Sequence, residues 1–206
     1  MLTQTLAATN RPSADYGDWR KSYAYYLPTT RSLGLDDSAA ELLAKVKRHG
    51  FSSDRGCLLG GCVGNGKTTR LKLVARTLYV AYIDARTISG ELAGRLPSDD
   101  RFRDLCNLQQ FGNIYGDKWH LAHDLIIDDL GTESATQSSY GNRSDVMATI
   151  IDARYDEWRY RGWRTYIATN LGSDTLRKVY GERTYSRLRE MCEFIRLQGG
   201  DRRAAR

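Results

Sequence analysis

Residues 61–69 read Gly61-Cys62-Val63-Gly64-Asn65-Gly66-Lys67-Thr68-Thr69 and meet the spacing G-x-x-x-x-G-K-[ST] at every required position. No other stretch constrains the fold as strongly. Its three glycines admit the positive φ values that a nest of N–H groups needs, and they let backbone approach a phosphate closely. Lys67 stands where an ammonium reaches the outer phosphates, and Thr68 where a hydroxyl ligates Mg²⁺. The flanks agree with that reading. Cys57-Leu58-Leu59-Gly60 has the composition of a short buried strand, and Leu71, Val74, Ala75 and Leu78 recur at helical spacing. A helix that starts at the loop points its positive end at the anion. Gly61 to Thr69 are therefore expected to hold a nucleoside triphosphate.

Bulk properties narrow the setting. The 206 residues suit one domain of ordinary size, and 41% hydrophobic with 27% charged residues is a globular balance. No apolar run approaches the length of a membrane span, and the N-terminus lacks a basic-then-apolar signal pattern, so a cytoplasmic protein without membrane attachment is expected. Cys57, Cys62, Cys106 and Cys192 show no C-x-x-C spacing, and Cys62 inside the loop reads as a reduced thiol. His120 and His123 have no cysteine pair beside them and read as structural. A net charge of +6 permits a polyanionic partner without requiring one.

Along the chain, residues 1–35 show little periodicity but cluster aromatic and basic side chains: Tyr16, Trp19, Arg20, Lys21, Tyr23, Tyr25 and Tyr26. They read as an N-terminal arm packing its rings, with a docking segment, a lid over the base or single-stranded nucleic acid as sharper alternatives. Ser38-Ala39-Ala40-Glu41 reads as a capping box opening a helix that Gly50 ends. Strands are expected at 79–84, 125–129, 165–170 and 193–197, with helical pieces near 88–95 and 100–110. A long amphipathic helix is expected between a Ser144 cap and Gly162. Alternation of strands and helices implies right-handed crossovers and a parallel sheet covered on both faces, the α/β three-layer sandwich of a P-loop NTPase.

Beyond the loop, Leu125-Ile126-Ile127-Asp128-Asp129 ends an apolar strand in two acids. Asp128 occupies the place of a Walker B aspartate that holds Mg²⁺ opposite Thr68. Asp129 follows where a carboxylate polarises attacking water, and Glu133 is near enough in sequence to compete for that role. Asn170 ends the next strand, where an amide orients water by donating and accepting at once. In Gly181-Glu182-Arg183-Thr184-Tyr185-Ser186-Arg187-Leu188, a helix would set Arg183 and Arg187 on one face.

The stretches GGCVGNGKTT, LIIDDLGTE, TYIATNLG and YGERTYSRLREMCEFIRL together resemble the AAA+ ATPases of the DnaC/IstB-type branch, helicase loaders and transposition helpers, over roughly residues 38–198. The resemblance implies a five-stranded parallel sheet in the order 5-1-4-3-2, an ATPase core at 36–198, and a basic tail at 199–206. It makes Asn170 similar to sensor 1 and Arg187 similar to the arginine finger that reaches a neighbour's nucleotide, with Arg183 the second candidate. ATP and Mg²⁺ are the implied cofactors. The implied partners are further copies of the chain, a replicative helicase and single-stranded DNA. Arg86, Arg95, Arg101 and Arg103 fall where this branch contacts DNA, though Asp99, Asp100 and Asp104 balance them as an ordinary solvated surface would. Two departures stand out. Aspartate rather than glutamate follows the Walker B aspartate, and the chain stops soon after the fifth strand, so no helical lid domain is expected. Helicase loading in DNA replication is the leading expectation; a transposase helper and a nucleotide-gated adaptor with little turnover are the alternatives. A small-molecule kinase fits TYIATNLG and YGERTYSRL poorly.

Overall fold

A computed structural model describes residues 19–32, 35–48, 54–78, 80–92, 124–133, 143–198 and 200. The chain forms two compact units, Met1–Gly50 and Phe51–Arg206.

In the first unit, α1 (Trp19–Ser32) packs on α2 (Asp37–Arg48). The helix at 38–49 is expected from the sequence, α1 is not; Pro28 inside α1 hides the period, yet Tyr26 and Thr30, four residues apart, are both buried. The Arg31 fork donates to both carboxylate oxygens of Asp37, at 2.9 and 2.8 Å. The expected Ser38–Glu41 capping box is not formed. Asp36 is the cap, accepting from the Ser38 N–H at 3.2 Å and from the Ser38 hydroxyl. Glu41 instead pairs with Lys45 one turn on, at 2.8 Å.

The second unit is a five-stranded sheet of β1 (Gly56–Gly60), β2 (Ala81–Asp84), β3 (Leu125–Leu130), β4 (Thr165–Thr169) and β5 (Cys192–Arg196). Every pairing is parallel and the order is β2-β3-β4-β1-β5, as the sequence implied. Central strands are apolar on both sides, and Cys57, Leu59, Leu125, Ile126, Ile127 and Ile167 are all buried. The connecting helices are α3 (Lys67–Leu78), α4 (Ala85–Leu92), α5 (Arg143–Arg161) and α6 (Ser173–Met191). The chain crosses the sheet one way from β1 to β2 and the other way from β2 to β5. Right-handed crossovers therefore set α3 on one face and α4, α5 and α6 on the other. The second face carries a continuous core that includes Ile88, Met147, Ile150, Leu176, Tyr180 and Leu188.

Most boundaries move by a residue or two. The helical piece expected near 88–95 begins earlier, at Ala85, because Asp84 caps it by accepting from the N–H groups of Arg86 and Thr87 at 3.0 and 3.1 Å. α5 starts at Arg143, one residue before the expected Ser144 cap, and closes at Gly162 (φ 75), whose N–H donates to Trp158 O at 2.9 Å. The second helical piece at 100–110, Arg95, Arg101, Arg103, Cys106, His120, His123 and the tail at 201–206 lie outside the described residues.

One break matters for the site. Inside α6, Gly181 has φ 83 and ψ 160, so the helix changes direction between Tyr180 and Glu182. A Cβ there would meet nothing within 4 Å, so the obstacle to a side chain is conformational and not steric crowding. Gly181→Ala is expected to cost about 1–3 kcal/mol, the usual scale for a non-glycine residue held in such a region. Chemical denaturation of the full chain checks this; an unshifted midpoint would mean the bend is not required.

Candidate nucleotide site

The loop after β1 takes the shape its glycines permit. Gly61, Gly64 and Gly66 have φ of 145, 79 and 87. A Cβ on Gly61 would come within 2.2 Å of Asn65 Nδ2 and 2.8 Å of Leu197 O, so the loop is closely wrapped as well as left-handed. α3 starts at Lys67, which turns the N–H groups of its first turn toward the loop's concave side. Lys67 is 5% exposed, and its ammonium donates to the carbonyls of Gly61 and Cys62 at 2.8 Å each and to Asn65 Oδ1 at 3.1 Å. Burial pulls the Lys67 pKa down, while Cys62, Asp129 and Asp128 oppose the shift.

Two supports of this loop were not legible in the sequence. Arg70, 2% exposed, donates from Nη1 to the carbonyls of Asn65 and Gly66 at 3.1 Å each. Beyond β5, the Leu197 N–H donates to Gly60 O at 2.9 Å, and Asn65 Nδ2 donates to Leu197 O at 3.3 Å. The loop is thus clamped by its own helix and by the segment after the edge strand.

Asp128 is buried at the end of β3, opposite Asp84 of β2. The Thr68 hydroxyl donates to its Oδ1 at 3.3 Å, the Asp129 N–H donates to the same oxygen at 2.9 Å, and the Tyr82 phenol donates to Oδ2. The sequence brought Thr68 and Asp128 together as expected, but it gave no sign of Tyr82, whose contact depends on the β2–β3 register. Burial and the Asp128 bond hold the Tyr82 phenol far above its ordinary pKa. Asp129 has φ 54, an uncommon value that aspartate tolerates better than most residues. Its carboxyl pKa is pushed up, first by burial and then by Asp128 and Asp84. Such a residue, strained and electrostatically crowded beside a phosphate-type loop, fits a reactive role.

Glu133 has a different environment. One of its oxygens accepts from the Gly131 N–H at 2.9 Å and the other from the Tyr180 hydroxyl. Asn170 lies just past β4, exposed, and lines an open cleft of about 480 Å³ with Gly61, Cys62, Ser173 and Arg196. The register of β1 with β4 pairs Gly60 with Thr169, which brings Asn170 to the same edge of the sheet as the loop. Cys62 and Val63 are exposed on the loop, and the other described cysteines, Cys57 and Cys192, are buried.

Arg183 and Arg187 do share a face of α6. Both reach Asp152 of α5, Arg187 Nη1 at 2.9 Å and Arg183 Nε at 3.8 Å from Oδ2, while the Thr184 hydroxyl donates to Oδ1 at 3.3 Å. The Arg187 guanidinium also lies over the Tyr155 ring, 4.9 Å from its centre. Arg187 is the more tightly held of the two; its side chain is 20% exposed against 76% for Arg183.

Among the described residues no group of three or more His, Cys, Asp or Glu is arranged to hold a metal alone. Thr68 and Asp128 nevertheless suit Mg²⁺, because a hydroxyl and a buried carboxylate at 3.3 Å supply two hard oxygen ligands beside the loop. The nest of glycines and the start of α3 suit the phosphates. No described helix is long and apolar enough to cross a membrane.

Among solved structures, the chain is similar to the DnaC helicase loader, with a TM-score of 0.52 and 21% identity over 79% of this chain and 90% of that one. It is similar to DnaI, with a TM-score of 0.54 and 20% identity over 80% of this chain and 87% of that one. AMPPCP-bound DnaA from Aquifex aeolicus gives a TM-score of 0.52 and 16% identity over 78% of this chain and 45% of that one. No family model matches the sequence, and no curated protein does. At these identities the likeness establishes the fold alone, a three-layer α/β sandwich around a five-stranded parallel sheet.

Proposed function

We propose that the chain binds ATP with Mg²⁺ at residues Gly61–Thr69, hydrolyses it, and acts in DNA replication as a helicase loader. The observation that carries this reading is the meeting of Lys67, Thr68, Asp128 and Asp129 at one edge of the sheet, with Thr68 Oγ1 3.3 Å from Asp128 Oδ1. In this reading Cys62, Val63, Gly64, Asn65, Gly66 and Thr69 supply backbone N–H groups to the phosphates. Thr68 and Asp128 hold the metal, and Mg²⁺ when bound neutralises charge on the phosphates. Asp129 takes the proton of the attacking water, and Asn170 orients that water. Glu133 is given no part in the chemistry in this reading, since its two oxygens already accept from the Gly131 N–H and the Tyr180 hydroxyl. Arg187, with Arg183 beside it, completes the site of a neighbouring copy, so the active form is an assembly. The likeness of fold to the DnaC helicase loader supports a helicase as the protein partner, and the resemblance of the sequence motifs adds single-stranded DNA as the nucleic acid.

The test is the ATPase rate of the full chain alone, with single-stranded DNA, with duplex DNA and with a replicative helicase. Stimulation by single-stranded DNA or helicase is expected. Stimulation by duplex DNA alone would favour a transposase helper. The shorter arm of Asp129 favours a second reading, a nucleotide-gated adaptor; ATP-dependent assembly with negligible turnover under every condition would establish it.

The acids separate by substitution. Asp128→Asn is expected to weaken Mg²⁺-dependent ATP binding about tenfold or more, the scale of one charge-assisted contact. Asp129→Asn keeps the backbone conformation, since asparagine also tolerates positive φ. It should retain ATP affinity and lose turnover by roughly 10²–10⁴-fold, the usual contribution of a general base. Titration with a fluorescent ATP analogue and steady-state hydrolysis distinguish the two; normal turnover in Asp129→Asn would remove it as the base.

A further inference from the structure

Among the described residues, a hydrogen bond joins the loop after the Asp128–Asp129 pair to the helix bearing Arg187. The loop is internally tied, because the Thr132 N–H and hydroxyl both donate to Asp129 O, at 3.1 and 2.8 Å. Glu133 accepts from the Gly131 N–H at 2.9 Å, so residues 129–133 form a single bonded piece. Gly131 seats this piece against the segment after Asn170: a Cβ on it would fall 2.3 Å from Leu171 Cδ1. From there Glu133 reaches across to the hydroxyl of Tyr180, which is 6% exposed. Burial and the facing carboxylate keep that phenol protonated, so it remains a donor. The next residue is Gly181, where α6 bends, and the bent half carries Arg183 and Arg187. Beyond the bend, residues 182–191 are tied to α5 through Arg187 and Arg183 on Asp152 and Glu190 on Tyr155, while Tyr180 holds the loop from the near side of the bend.

We propose that Glu133 and Tyr180 are positioning residues that transmit displacement of the 129–133 loop across the Gly181 bend to residues 182–191, and so set where Arg187 stands. The inference rests on the ATP-binding reading above. Neither side chain is assigned a contact with the nucleotide. A charge-assisted bond to a largely buried phenol is strong enough to make loop and helix move together, and the bend gives the helix a place to move. Coupling of this kind requires that both ends bias one element, which here is the second half of α6.

Hydrogen–deuterium exchange of the full chain, with and without a non-hydrolysable ATP analogue, reads residues 182–191 directly. The wild type and Tyr180→Phe are expected to bind a fluorescent ATP analogue equally well. In the wild type the analogue changes exchange over 182–191; in Tyr180→Phe that response is lost. Glu133→Ala loses it too, whereas Glu133→Gln, which keeps an acceptor for the phenol, retains part of it. If Tyr180→Phe melts early, the contrast between Glu133→Gln and Glu133→Ala carries the test. A response that persists in Tyr180→Phe and Glu133→Ala overturns the link, as does a wild type that binds analogue without any response at 182–191. A wild type that fails to bind the analogue overturns the nucleotide reading instead.

Discussion

Arg187→Ala is expected to bind ATP nearly as the wild type does and to hydrolyse it on the order of a thousandfold more slowly, the scale of an arginine finger supplied in trans. The side chain is tied to Asp152 at 2.9 Å and stacked on Tyr155, on α5 rather than against its own phosphate loop. Its removal does not strand Asp152, which keeps Thr184 at 3.3 Å and Arg183 at 3.8 Å, so the fold should survive. In the proposed assembly the finger serves a neighbour, so the wild-type rate per subunit should rise with protein concentration. Mixing Arg187→Ala with Lys67→Ala should restore some activity, since each supplies the half-site the other lacks. Arg187→Lys should rescue poorly, because a point charge does not reproduce the planar fork. A rate independent of concentration, with no rescue on mixing, would reduce Arg187 to a surface residue paired with Asp152.

Lys67→Ala is expected to lower ATP affinity by about ten- to a hundredfold, corresponding to loss of a charge-assisted contact of roughly 1.5–3 kcal/mol. Turnover should fall below detection. The ammonium has a second role that the sequence did not suggest: it ties together the carbonyls of Gly61 and Cys62 and the Asn65 amide. The variant loop is therefore less ordered, but Arg70 on Asn65 and Gly66, and Leu197 on Gly60, hold it from outside. The melting temperature should change little while fluorescent-analogue binding collapses. Unchanged affinity would sink the assignment of this loop to ATP.

Where sequence and structure agree, the information was local or carried by a repeated pattern. The glycines at 61, 64 and 66 needed only their own backbone freedom to announce a left-handed wrap, and all three have positive φ. The apolar runs at 57–59, 125–127 and 166–168 needed only hydrophobicity to announce central parallel strands, and all are buried. Helical spacing of Arg183 and Arg187 was enough to put them on one face. The capping box at Ser38 failed because Asp36, two residues earlier, takes the Ser38 N–H that Glu41 would have accepted and the Ser38 hydroxyl as well. α1 escaped notice because Pro28 interrupts its composition, although one proline does not end a helix whose buried residues repeat four apart.

The sequence by itself determined the left-handed glycine loop at 61–66, the paired acids Asp128 and Asp129 on a buried strand and the alternating α/β core, because those depend on residues near one another in the chain. Only the tertiary structure decided which side chain faces each acid. Tyr82 reaches Asp128 across the β2–β3 register, Tyr180 donates to Glu133, and Asp152 holds Arg187. Those partners are separated by 46, 47 and 35 residues respectively (128 − 82, 180 − 133, 187 − 152). A hydrogen bond is decided by tenths of an ångström, whereas hydrophobic periodicity specifies only which face of an element turns inward.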